Sequence, residues 1–207
     1  MPNPNEERQY AKLLLSALEL QAFSIEVADK PDVRMVINGC RIGLEVTEAT
    51  PEEYRRAKNA LKAPDKGGCI FTEHWQHRTE RRVTDKLVAE GVDHDGPWVN
   101  SIDSFNNWAS RIEERIRDKH RAFAHPDFQR FDQNWLLIAD LRHSEITHEP
   151  DLIEARRFFH TLVSTFRPTV FFDRTFILTS NAGLIDWDHR RSEIVWKVTR
   201  DRTLNIP

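Results

Sequence analysis

The sequence predicts a mixed α/β protein, with a central sheet that is partly antiparallel and partly parallel and helices on both sides. Three observations lead there. Asn38-Gly39 lies between two runs of alternating apolar residues, the strongest short signal for a β-hairpin. Trp135 to Leu141 is a continuous apolar run of strand length, as expected of a strand covered on both faces. Elsewhere apolar residues recur three and four positions apart, the period of helices that pack one side against a sheet. At 207 residues the chain can build one substantial core and is short for two, so residues 1–207 are expected to form a single domain.

The first helix is expected over residues 6–21, with Asn5 as N-cap and Tyr10, Ala11, Leu14, Ala17 and Leu18 on one stripe. Extending that stripe back one turn reaches Glu7. A first-turn acid is favoured by the helix dipole in any case. Glu19 falls off the stripe and is expected in solvent. Phe23 to Ala28 alternates as a strand and leads through Asp29-Lys30-Pro31 into the hairpin.

A two-residue turn at Asn38-Gly39 fixes the register: Ile37 opposite Cys40, Val36 opposite Arg41, Met35 opposite Ile42, Arg34 opposite Gly43, Val33 opposite Leu44 and Asp32 opposite Glu45. Because side chains alternate, Val33, Met35, Ile37, Cys40, Ile42, Leu44 and Val46 share one apolar face. Asp32 and Glu45 then meet on the other face. Two carboxylates so placed repel unless they share a proton or a cation, and paired hard oxygens suit an ion of the Mg²⁺ kind.

Beyond the hairpin, Pro51 to Lys62 reads as a helix capped by Thr50, with Lys58 on the side of Tyr54, Ala57 and Leu61. A long polar helix follows over residues 72–90, whose arginines are those of a solvated face or a nucleic-acid backbone contact. Cys69, His74 and His77 lack a fourth ligand at zinc spacing. The loop around Asp93, His94 and Asp95 is either turn chemistry or a metal-adjacent loop. Residues 104–123 form the next helix, and its stripe of Phe105, Trp108, Ile112, Ile116 and Phe123 also contains Lys119, a cation among apolar neighbours. Then come the buried strand, a helix over residues 150–166 with Leu152, Ile153, Phe159, Leu162 and Val163 inward, a strand over residues 174–180, a turn at Asn181-Ala182-Gly183 and a last strand over residues 192–199.

No apolar run approaches the length that spans a bilayer, and the opening residues lack the layout of a secretory signal, so a cytoplasmic protein with no membrane partner is expected. Two cysteines, one of them core-facing in this register, do not make a disulfide framework. A net charge of -3 excludes a uniformly basic nucleic-acid binder while leaving room for a local basic face.

Pro31-Asp32 followed on the next strand by Glu45-Val46-Thr47 resembles the PD-(D/E)XK nuclease superfamily. The resemblance covers roughly Glu6 to Leu141, with residues 63–103 as a helical insertion and 142–207 as a C-terminal elaboration. It implies a restriction-endonuclease-like core of helix, three antiparallel strands, helix and strand. It also implies Mg²⁺ (or Mn²⁺) held by Asp32, Glu45 and the Val46 carbonyl, an added acid from the first helix at Glu7, phosphodiester hydrolysis on nucleic acid, with DNA the expected partner, and a homodimer as one arrangement. The pattern departs at Thr47, which stands where the lysine is expected and cannot carry positive charge. The lysine role must then lapse, pass to a second metal or come from a helix, and Lys119 and Lys58 are the helix candidates because each interrupts an apolar stripe. Two alternatives remain open: a nuclease fold that has lost cleavage and binds nucleic acid or protein, and an unrelated metal-dependent hydrolase or plain interaction module in which Asp32 caps a strand and Glu45 meets an arginine such as Arg34.

Overall fold

The computed structural model describes residues 3–49, 101–140, 149–166, 168, 170–179 and 183–197. The expected helices over 51–62 and 72–90, with Lys58, Cys69, His74, His77, Asp93, His94 and Asp95, lie outside them. Two compact units divide the chain: residues 1–49 with 108–207, and residues 50–107. The sheet belongs to the first.

Helix α1 runs Pro4–Ala17 and starts two residues earlier than expected, because Asn3 rather than Asn5 is the cap. Asn3 Oδ1 accepts from the Asn5 and Glu6 amides at 3.0 and 3.1 Å, Glu6 Oε2 accepts from the Asn3 amide at 2.9 Å, and Pro4 fills a first-turn position needing no N–H. Strands β1 (Ser24–Val27), β2 (Val33–Ile37) and β3 (Cys40–Glu48) follow, each antiparallel to the next. Asn38 and Gly39 both take positive φ, 50° and 79°, as a tight two-residue turn requires. The register is the expected one from Ile37–Cys40 to Val33–Leu44, where the ladder stops. Asp32 does not extend it. Its carbonyl accepts from the Ala28 amide, and its side chain takes the Val46 N–H that the ladder would otherwise leave unpaired.

Helix α2 (Ser101–Phe123) leads to β4 (Gln133–Asp140), α3 (Glu149–Thr165) to β5 (Arg174–Thr179), and the chain continues through β6 (Gly183–Asp188) and β7 (Glu193–Lys197). The seven strands lie in sequence order, with β3, β4 and β5 mutually parallel and antiparallel hairpins at either side. This is a mixed α/β fold. Strand β6 departs from expectation, since the segment after Asn181-Ala182-Gly183 is a strand and not only a turn. Asp186 in its middle is buried and takes both Nε (3.1 Å) and Nη2 of Arg174.

Alternation sorts the faces. Tyr10, Leu14 and Leu18 of α1 pack on Val33, Met35, Ile42, Leu44, Val46, Leu137 and Phe176 in one core, with Cys40 only half-buried at its margin. The opposite face presents Glu45, Thr47, Leu136 and Ile138, and there α2 and α3 meet through Trp108 and Phe159, ring centroids 6.1 Å apart. Ile153 of α3 is 48% exposed rather than inward; Ala155, Phe159 and Leu162 carry that helix's buried side. Among the described residues no helix is long and apolar enough to cross a membrane.

Candidate active site

Glu45 is the middle of the site because strand alternation turns it away from Leu44 and Val46, which go into the α1 core. On the face where it emerges, Lys119 of α2 reaches it, Nζ to Oε1 at 2.7 Å. The apolar stripe of α2 explains how: Trp108, Ile112, Ile116 and Phe123 are all buried, so the side carrying Lys119 is pressed against the sheet. Lys119 extends its stem through that layer and delivers a charge to a position only 10% exposed. Thr47, two residues along β3 on the same face, is buried and carries a hydroxyl, not a charge.

Asp32 joins from the start of β2, its Oδ2 2.7 Å from the Val46 amide. Burial first, and the Glu45 charge second, raise its carboxyl from the ordinary 3.8 to about 7, against the opposing pull of the Val46 N–H and of Lys119. Glu7, buried on the first turn of α1, is raised too, by burial and then by Glu45. Glu7, Asp32, Glu45 and Lys119 thus feel one another electrostatically, and of the three acids Glu45 is the one in contact with Lys119. Glu45 Oε2 is buried with no hydrogen-bond partner among the described residues.

An orphaned carboxylate oxygen beside a carboxyl that burial holds half-protonated near neutrality fits a hard divalent cation. Among the described residues no group of three or more His, Cys, Asp and Glu is placed to hold a metal ion. Mg²⁺ is commonly held by one or two carboxylates, with water and substrate phosphate completing its shell.

Arg34 does not meet Glu45. Its Nη2 donates to Gln129 Oε1 at 2.9 Å instead. Further buried polar groups had no signal strong enough to single them out. Glu48 accepts from the Tyr10 hydroxyl at 2.7 Å, and Asp140 accepts from Trp108 Nε1 at 2.8 Å. His120, next to Lys119, is buried among Phe166, Phe172 and His189, with Nδ1 2.8 Å from the Ile116 carbonyl and Nε2 unpartnered. Burial lowers it to about 4, and lowers His189 to about 3 with the His120 charge adding to the effect.

Set beside known proteins, the chain matches no family model, no curated protein and no solved structure.

Proposed function

We propose that this chain is a Mg²⁺- or Mn²⁺-dependent phosphodiester hydrolase acting on nucleic acid, expected to be DNA, and a divergent member of the PD-(D/E)XK superfamily whose lysine has moved to a helix. The observation that carries this reading is the 2.7 Å contact from Lys119 Nζ to Glu45 on the face that also bears Thr47. The element order from α1 to β4, a helix, three antiparallel strands, a helix and a strand parallel to the third, supports it as well.

Asp32, Glu45 and the Val46 carbonyl would hold the ion. Bound there, it would polarise the phosphate and lower the pKa of an attacking water. The remaining work falls to the chain. Lys119 supplies the positive charge that Thr47 lacks, and its packed stem keeps the ammonium in place before substrate arrives. Asp32, at about 7, sits where it can give up its proton as a cation binds, and Glu7 adds a third acid able to hold or release one.

The test is cleavage of a mixed pool of single- and double-stranded oligonucleotides with Mg²⁺ or Mn²⁺, comparing wild type with Lys119→Met and Lys58→Met. Loss in Lys119→Met alone supports the reading, and a wild type that cleaves nothing removes it. A second reading, a nuclease fold that binds nucleic acid or protein without cleaving, is favoured by the same ion pair. Lys119 can neutralise Glu45 by itself.

A further inference from the structure

Among the described residues, the other arginines of the sheet are neutralised by carboxylates. Arg41 is held by Asp132, with Nη2 to Oδ1 at 2.9 Å, and Arg174 by Asp186. Arg34 is held differently. Its Nη2 donates to the neutral Gln129, its guanidinium carbon lies 5.8 Å from the Phe131 ring centroid, and its Nε–H is buried without a partner. No carboxylate pairs with it among the described residues. A buried donor left unpaired is costly, so a cation oriented only by neutral groups is a conspicuous feature.

Its position gives the feature a purpose. Arg34 pairs with Gly43, and alternation puts both on the face of Glu45, two residues along β3 from Gly43. A Cβ on Gly43 would lie 2.8 Å from both Phe131 Cδ2 and Pro31 Cγ, so those rings occupy the place a side chain would take. Phe131 thereby closes over the sheet and backs the guanidinium, while Pro31 adjoins Asp32. The cation thus lies on the face of Glu45 with the Phe131 ring against it.

We propose that Arg34 is a positioning residue that binds a backbone phosphate of nucleic acid next to the Asp32 and Glu45 carboxylates. This rests on the function proposed above and names the group of the substrate that the site grips. The Asp32 and Glu45 carboxylates repel a polyanion, and the N–H donors of a guanidinium match phosphate oxygens. Gln129 takes one of its five N–H groups, and that bond lies at the exposed rim.

The experiment is fluorescence anisotropy of labelled single-stranded and duplex oligonucleotides against salt, with Ca²⁺ in place of Mg²⁺ to hold off cleavage. The proteins are wild type, Arg34→Met, Arg34→Lys and Arg41→Met, each first checked by thermal melting and Mn²⁺ titration. The expected result is about tenfold weaker binding by Arg34→Met, a log–log salt slope shallower by about 0.7 to 0.9, and unchanged Mn²⁺ affinity. Arg34→Lys restores the slope but not the full affinity, and Arg41→Met matches wild type. If wild type binds and Arg34→Met keeps its affinity and slope, Arg34 is structural and the nuclease reading stands. If wild type binds neither oligonucleotide, both proposals fail together.

Discussion

Two buried ion pairs sit on opposite faces of one sheet, and they are completed differently. On the α1 face, Arg174 gives Asp186 two N–H donors and lies over the rings of Trp135 and Phe176, 5.4 and 4.7 Å from their centroids. Both carboxylate oxygens are satisfied. On the α2 face, Lys119 satisfies one oxygen of Glu45 and leaves the other without a partner among the described residues, and burial there disfavours the charge of Asp32. A buried pair with every lone pair answered holds strands together; a buried cluster with surplus acid is costly unless something else binds it. That contrast is why we propose the second as the working site.

The largest effect that could break this contrast concerns the complete pair. Asp186→Ala leaves Arg174 uncompensated and is expected to cost about 3 to 5 kcal/mol, read by urea unfolding, with divalent-ion affinity unchanged. A smaller loss in Asp186→Ala than in Glu45→Ala would reverse the assignment. Next comes Lys119→Met, which keeps the stem and removes the charge. The fold should survive, cleavage should fall about a hundredfold, near 3 kcal/mol in barrier, and Mn²⁺ should raise its Tm more than that of wild type.

Asp32→Asn sharpens the comparison through pH. The folded chain holds the Asp32 proton up to about pH 7, against an ordinary value of 3.8, so wild type should lose stability as pH rises from about 4 to 7 and level off above. Asn still offers an oxygen to the Val46 N–H but never charges. The variant should therefore show a flatter profile over that window and a higher Tm at pH 8, whereas an unchanged profile would mean that Asp32 is not strained by its neighbours.

His120 and His189 give a smaller effect near neutrality, with the opposite sign. Their folded values, about 4 and about 3, lie below the ordinary 6.5, so their contribution is complete above pH 6.5 and is lost as pH falls toward 4 and 3. Melts of Asp32→Asn from pH 6.5 downward should isolate this limb. Insensitivity there would place the imidazoles in contact with water.

The hairpin was legible because a two-residue turn and a period of two leave no freedom: one slip would turn every apolar residue outward. Lys119 was legible as a charge out of place on an apolar stripe, which marked it before any partner was known. Glu7 stood on the same kind of outlier argument. What stayed hidden depends on partners distant in sequence. Asp186 argues against a strand until Arg174 is seen across the ladder, and Ile153 is apolar yet left outside because Ala155 and Phe159 already fill the layer. The end of the β2 ladder at Val33 was hidden too, since only the side-chain bond from Asp32 to Val46 shows why pairing stops.

Calorimetric titration of Mg²⁺ and Mn²⁺ into wild type, Asp32→Asn and Glu45→Ala tests the central claim most directly. The account predicts one saturable site in wild type, with proton release that makes the heat depend on buffer near pH 7 and with binding that weakens as pH falls. Both variants should lose it. Equal affinity in all three proteins, or no binding by wild type at any pH, would contradict the claim that this cluster is a cation site.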